Sequence, residues 1–243
     1  NNKKDVINVN ENDKIEFTIR VYNEGTQNGY AKELKNDIPD GLEFVVNDAT
    51  NQKFKWKMYD ENNNETDDIS KCKYVKTNYL SKENDVSNLI TSFDKGKMSS
   101  PNYKEVKIVL NVKLKDKNNS NITEKAEVSD DSDEDGNSVT DIDSAPNEEN
   151  NNEDDQDQES LHILKFDLSL KQEVSQIITI ENGYQTISEI KDKENFKFDA
   201  NKNNLKNKVV KFKYSIKVAN EGEDIGTASE ISDYIPKGLK FNQ

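Results

Sequence analysis

The sequence predicts an all-β chain of tandem β-sandwich repeats, the second of them truncated, joined by an acidic linker. Residues 17–44 return as residues 214–241 at a constant offset of 197, without a gap. A period of that length is a whole domain plus a linker, which indicates an array of domains. Apolar residues also stand at alternate positions in short segments separated by turn residues, the pattern of half-buried strands.

The first copy, residues 1–145, is a series of alternating segments. Ile15, Phe17, Ile19 and Val21 alternate with polar residues, so a strand with one buried face is predicted here. Residues 81–93 have apolar residues at roughly helical spacing and fit a short helix or a loop. The strands predicted for this copy are 6–9, 13–22, 42–46, 53–59, 73–80, 106–114 and 122–128.

Two turn signals are part of the repeat. Asn-Glu-Gly at 23–25 returns at 220–222, and Ile-Pro at 38–39 returns at 235–236. Asn bonds to its own backbone, Gly supplies positive φ and Pro fixes φ for a turn. The repeated unit is therefore interpreted as strand, turn, short connection, Pro-Gly turn and strand.

The second copy, residues 163–243, has predicted strands at 164–170 and 210–218. The first of these has no counterpart in the first copy, so we expect the first domain to lack its opening strand. The sequence stops soon after Phe241, so we expect only the N-terminal part of the second domain.

The excess negative charge lies in one segment. Between Ser129 and Ser160 there are fourteen acids and no Lys or Arg, whereas the other 34 acids balance 34 basic residues. Such a segment buries too little apolar surface to fold alone, so residues 129–162 are predicted to be an acidic linker that overlaps the first domain. The balanced remainder lacks the basic face that nucleic-acid binding needs. No apolar run of membrane length occurs, so no membrane insertion is expected.

Part of this segment has the spacing of the first half of a calcium loop. Carboxylates at alternate positions converge on one cation in such loops, and Gly136 would allow the sharp turn. The Glu expected at the twelfth position is replaced by Ile142. Calcium binding and a plain solvated linker therefore both stay open. The candidate calcium ligands are Asp131, Asp133, Asp135, Asn137, Asp141 and Asp143.

Other reactive residues favour structural roles. His162 is the single histidine, and a lone His builds neither a zinc site nor a catalytic triad. Cys72 excludes an internal disulfide; its Lys neighbours favour a lowered pKa, but we expect a small buried residue in a strand. Trp56 and Tyr59 suggest a sugar-binding platform, yet Trp56 shares a face with Phe54 and is expected in the core. No catalytic constellation is present, so we expect no enzyme.

The repeat resembles the conserved repeat domain of Gram-positive surface proteins, the domain of unknown function eleven. The resemblance rests on an alternating strand ending in Asn-x-Gly, followed by Ile-Pro-x-Gly-Leu-x-Phe, as at 17–44 and 214–241. It implies Ig-like sandwiches in the stalk of an adhesin-like protein at the cell wall or surface, outside the cell. Further landmarks lie at 55–59, 77–80, 103–112, 126–128, 131–147 and 166–168.

The resemblance implies a structural spacer whose partners are neighbouring repeats of the same chain. The alternative is a binding module that contacts a host protein, a glycan or a neighbouring cell through sandwich loops. Fold does not separate the two, because function lies in sites that are added to folds.

The resemblance also suggests one covalent chemistry, an isopeptide bond formed when a buried Lys attacks an Asn amide beside a carboxyl group. The family's Lys follows Phe-Asp-Leu-x-Leu, its acid precedes the Ile-Pro turn, and its Asn lies in the closing strand. This chain has Gln172 at the Lys position and Glu124 at the Asn position, and alternation turns Lys171 outward. The acid position holds Asn36, next to Asp37, in the first copy and Asp233 in the second. We therefore expect no isopeptide bond within either copy, unless a bulge re-aims Lys171 or the bond joins two copies.

Overall fold

The computed structural model describes residues 4–93, 102–114, 120–140, 154–191, 197–199 and 205–242. It divides the chain into two compact units, Asn1–Leu164 (unit 1) and Lys165–Gln243 (unit 2). Strands dominate both units, so the predicted all-β class is confirmed.

The described residues of unit 1 include two short 3₁₀ turns, Ile69–Lys71 and Val86–Asn88, and one short helix, α1 (Ala49–Lys53). Asp48 caps α1 by accepting a hydrogen bond from the amide of Thr50. The strands of unit 1 are β1 (Ile7–Val9), β2 (Lys14–Tyr22), β3 (Gly29–Asp37), β4 (Leu42–Phe44), β5 (Lys57–Tyr59), β6 (Tyr74–Thr77), β7 (Tyr103–Val112), β8 (Asn121–Asp133) and β9 (Gln156–Ile163).

These strands form two sheets. The larger sheet has the order β1-β9-β8-β3-β6-β5, and the smaller has the order β2-β7-β4. The described pairs are antiparallel apart from β1 and β9, which are parallel, with Ile7 opposite Leu161 and Val9 opposite Ile163. Side chains from both sheets share one core cluster, the arrangement of a β-sandwich.

The core follows the predicted alternation most clearly on β7. Val106, Ile108, Leu110 and Val112 are fully buried. They meet Leu34, Val75 and Leu161 of the larger sheet in the same cluster. Burying these side chains is the main stabilising contribution, about 1.5–3 kcal/mol for each large one.

Two segments of unit 1 differ from the prediction. The stretch interpreted as a short connection is the nine-residue strand β3, whose register shifts on both sides of Glu33. Bulges there break the period of two on which the prediction depends. The predicted strand at 53–59 is shorter than expected, because Lys55 has a φ of 56° and regular pairing starts only at Lys57.

The expected acidic linker is wrong at both of its ends. Residues 129–133 complete β8, and residues 156–162 belong to β9, which pairs with β8 along its length. The acidic composition predicted a linker here, but backbone pairing and two buried residues, Leu161 and Ile163, order the segment as strands. Lys4 also neutralises part of the charge through Asp157 at 2.5 Å and Glu159 at 2.7 Å. Residues 141–153 lie outside the described part, so the middle of the linker stays a prediction.

In unit 2, the residues that the structure describes form a three-stranded sheet in the order β11-β10-β12. Its strands are β10 (Leu168–Glu181), β11 (Tyr184–Glu189) and β12 (Lys208–Asn220). The predicted opening strand therefore starts later and runs further than expected, with a bulge between Val174 and Gln176. The hairpin turn at Asn182-Gly183 has positive φ at both residues, which only such residues adopt readily.

The repeated turns have the same hydrogen bonds in both units. Asn23 Oδ1 accepts from the amide of Gly25 at 3.0 Å, and its Nδ2 donates to Gln27 O at 2.8 Å. In unit 2, Asn220 makes the matching bonds to Gly222 at 3.0 Å and to Asp224 O at 2.8 Å. The 197-residue offset thus holds for the hydrogen bonds of this turn, whereas the unit 2 segments that match β3 and β4 are not strands.

Candidate functional site

The strongest candidate site is a polar pair inside the core of unit 1. Asn36 on β3 is 0% exposed and Glu124 on β8 is 3% exposed. The two strands are neighbours, with Asn36 opposite Ala126. Asn36 Nδ2 donates to Asp37 O at 2.9 Å, whereas Asn36 Oδ1 and Glu124 Oε1 have no hydrogen-bond partner. Unpartnered buried oxygens are destabilising, so they call for an explanation.

Burial determines the charge of this pair. It raises the pKa of Glu124 from 4.5 to about 8, and the hydrogen bond from Asn36 lowers it only in part. Glu159, Asp37 and Asp157 raise it further, because each adds negative charge nearby. Glu124 is therefore mostly a neutral carboxylic acid at pH 7, able to donate a hydrogen bond.

A protonated acid beside a carboxamide can polarise the amide carbonyl. Sequence comparison with the family pattern had placed Asn36 and Glu124 at two of the three isopeptide positions, with acid and amide exchanged. The structure brings these two together. Among the described residues no Lys belongs to the buried set, so the pair has no amine nucleophile there. The expectation that neither copy forms an isopeptide bond stays a prediction.

The candidate calcium loop forms a hydrogen-bonded turn after β8. Asp133 Oδ1 accepts from the amides of Asp135 at 2.9 Å and Asn137 at 2.8 Å, and its Oδ2 accepts from Asn137 Nδ2 at 3.1 Å. These bonds lower the pKa of Asp133, the backbone bond from Asn137 most of all. Asp131 lies within β8, opposite Ala31.

The same turn occurs elsewhere in unit 1, where Asp60, Asn62 and Asn64 repeat the alternate spacing of a calcium loop but Glu65 stands at the position of the Gly. Asp60 Oδ1 accepts from the amides of Asn62 and Asn64, both at 2.9 Å. In the part of the chain that the structure describes, no group of three or more His, Cys, Asp or Glu side chains is placed to hold a metal ion. Asp141 and Asp143 lie outside the described residues, so calcium binding stays a prediction.

The other reactive residues have structural contacts. Burial raises the pKa of Cys72 to about 11, which opposes the lowering suggested by its Lys neighbours. Cys72 ends a 3₁₀ turn rather than lying in a strand. Trp56 is buried and its Nε1 donates to Lys107 O at 2.8 Å, so it belongs to the core as expected. His162 lies in β9, with Nδ1 2.8 Å from Asn121 Oδ1.

A cluster on the larger sheet contains Tyr59, which the sequence had paired with Trp56 rather than with Tyr74. The rings of Tyr59 and Tyr74 stack with centroids 5.6 Å apart. Lys76 Nζ lies 5.5 Å from the centre of the Tyr59 ring and 2.8 Å from Glu33 Oε1. Lys35 Nζ lies 5.1 Å from the Tyr74 ring. The sequence shows that Tyr74 and Lys76 share the face of the strand opposite to buried Val75. It does not show that Tyr59 lies beside them, because that depends on the pairing of β5 with β6.

Comparisons with known proteins assign no family to the chain. Neither a protein-family model nor a curated protein matches the chain. Among solved structures, it is similar to the fimbrial adhesin FimA of Actinomyces, with 14% identity and a TM-score of 0.27. That likeness covers 71% of this chain and 59% of the adhesin. In the described part of the chain, no helix is long and apolar enough to cross a membrane.

Proposed function

We propose that the chain is a structural spacer from the stalk of a bacterial cell-surface protein, of the adhesin-like type found at Gram-positive cell walls. The observation that carries the proposal is the repeat, in which Asn23 and Asn220 build the same turn in successive units. Serial units of one design lengthen a protein without adding a site. We infer that the partners are neighbouring repeats of the same chain and that the role is not enzymatic.

The strand surfaces of unit 1 support a solvent-facing role. Exposed ion pairs lie on its surface, among them Lys107–Glu16 between β7 and β2 at 2.6 Å and Lys57–Glu65 at 3.0 Å. Solvent screens such exposed pairs, so they serve solubility more than stability. A spacer needs this kind of polar exterior.

Surface labelling tests the location. Antibodies raised against the chain should stain intact cells of the organism that carries the gene, and a protease added outside should remove the signal. Staining that appears only after lysis would refute an extracellular stalk.

A binding module is the second candidate, and the Tyr59–Tyr74 cluster favours it. Stacked phenol rings with flanking Lys and Glu side chains offer both an apolar face and hydrogen bonds to a protein or a glycan. A glycan and surface-protein array probed with the whole chain decides between the two roles. A saturable hit that Tyr74→Ala removes, while a matched Tyr103→Ala variant keeps it, would favour the binding module over the spacer.

A further inference from the structure

We propose that the outer edge of β2 is a docking site for an antiparallel strand with the sequence pattern of Lys165–Glu181. Among the described residues, β2 pairs with β7 on one side and with no strand on the other. Its apolar residues Ile15, Ile19 and Val21 pack on the core and stay only partly buried. An open edge of this kind offers backbone hydrogen bonds to an incoming strand. This goes beyond the spacer role and does not depend on it.

Unit 2 shows which strand fits such an edge. β12 repeats β2 at the offset of 197, and β12 pairs with β10 along most of its length. Leu170 lies opposite Val218, which matches Val21, and Val174 lies opposite Tyr214, which matches Phe17. The same register on β2 would place Leu170 beside Val21 and Val174 beside Phe17, with Gln172 between them opposite Ile19.

Gly25 also supports a strand of the Lys165–Glu181 pattern as the occupant of the β2 edge. A Cβ on Gly222 would lie 2.5 Å from Asp167 N and closer still to Lys165 O, because the chain before β10 crosses the turn there. Gly25 repeats this glycine, although its φ is not in the left-handed region. The nearest described atom to a Cβ on Gly25 is Asn23 Oδ1, at 3.2 Å. A glycine is costly in a fixed backbone, and an incoming strand that crosses the turn accounts for it.

A basic residue is also repeated between β12 and β2. Glu173 on β10 bonds to Lys217 at 3.1 Å, and the residue that matches Lys217 on β2 is Arg20. Arg20 lies 3.2 Å from Glu105 and has further donors with which to bind a second carboxylate. The docked strand would therefore place its own Glu, the counterpart of Glu173, beside Arg20.

The test uses the full chain, labelled with ¹⁵N, and a synthetic peptide of residues 165–181 that carries a nitroxide at one end. A label at the Lys165 end should broaden amides around Gly25, and a label at the Glu181 end should broaden those around Glu11. A peptide of reversed sequence is the control. Absence of saturable broadening, the opposite polarity, or broadening confined to β12 would each refute the proposal. Concentration-dependent self-association through β2 would also refute it, since the occupant would then be a second copy.

Two variants make the test specific. Gly25→Ala should weaken peptide binding about tenfold by blocking the crossing chain. It should leave unit 1 folded, as monitored by the fluorescence of Trp56. If Gly25→Ala unfolds unit 1, Arg20→Glu decides instead. Arg20→Glu should weaken peptide binding about two- to fivefold, and a peptide with Glu173→Lys should bind this variant with the original affinity. Unchanged binding in both variants would overturn the proposed register.

Discussion

The stability of unit 1 should fall as pH rises through the neutral range, because Glu124 holds its proton in the folded state. The folded pKa is about 8, against 4.5 for an exposed Glu. Between these values the folded chain binds one proton more than the unfolded chain, so stability decreases with pH. Each pH unit well inside this window costs about 1.4 kcal/mol. Because the slope is smaller near the two pKa values, the loss between pH 5 and pH 8 is about 3–4 kcal/mol.

The variant that tests this prediction is Glu124→Gln, because it keeps the shape of the side chain but does not titrate. We expect the free energy of unfolding of this variant to lack the decline between pH 5 and pH 8. The variant should therefore become more stable than the parent at the alkaline end. Urea unfolding followed by the fluorescence of Trp56 measures unit 1, because this is the single tryptophan and it lies in that core.

The control is Asp48→Asn. The amide of Thr50 lowers the pKa of Asp48, so this group affects stability only at acid pH and in the opposite direction. Its removal should leave the decline between pH 5 and pH 8 in place. Parallel profiles for the parent and Glu124→Gln over this range would refute the assignment of the proton to Glu124.

Four other predictions follow from the same structure. Leu110→Ala should destabilise unit 1 by about 2–5 kcal/mol in urea unfolding, whereas Val86→Ala, at a side chain 68% exposed, should change stability by about 0.5 kcal/mol or less. Intact mass spectrometry should give the full sequence mass, and a species lighter by one ammonia would reveal an isopeptide bond. Residues 163–243 alone should show no cooperative unfolding transition, because apolar side chains such as Ile225, 93% exposed, remain uncovered; a sharp transition would contradict this. Calcium binding by the acidic segment predicts a saturable calorimetric signal at millimolar calcium that Asp133→Asn weakens, and no heat would leave only the turn.

The sequence was most informative for the long strands that turn one face to the core. The alternation on β2 and β7 predicted both strands within a few residues, because period-two burial is a local property. It failed for β3, where bulges shift the register, and for β9, where pairing with β8 outweighs an unfavourable composition. Both failures have one cause, since partners distant in sequence decide those segments.

At the candidate site, too, the sequence predicted some features and missed those that depend on packing between distant segments. Asn36 and Glu124 were singled out by family pattern alone, while their burial and the raised pKa of Glu124 depend on how β3 and β8 pack. For Cys72, sequence neighbours suggested a lowered pKa, but desolvation acts in the opposite direction and is the largest contribution.

The parallel pairing of β1 with β9 determines how unit 1 responds to tension. If the chain is pulled at Asn1 and at Leu164, the two strands are drawn in opposite directions along their length. The bonds between them, together with that from Leu164 N to Val9 O at 2.8 Å, are then loaded at the same time. In an antiparallel pair that is pulled apart from one end, the hydrogen bonds between the strands would instead be loaded and broken one after another. Rupture under force is governed by the unfolding barrier rather than by equilibrium stability, so this short shear clamp gives unit 1 a mechanical resistance that its free energy of unfolding does not measure.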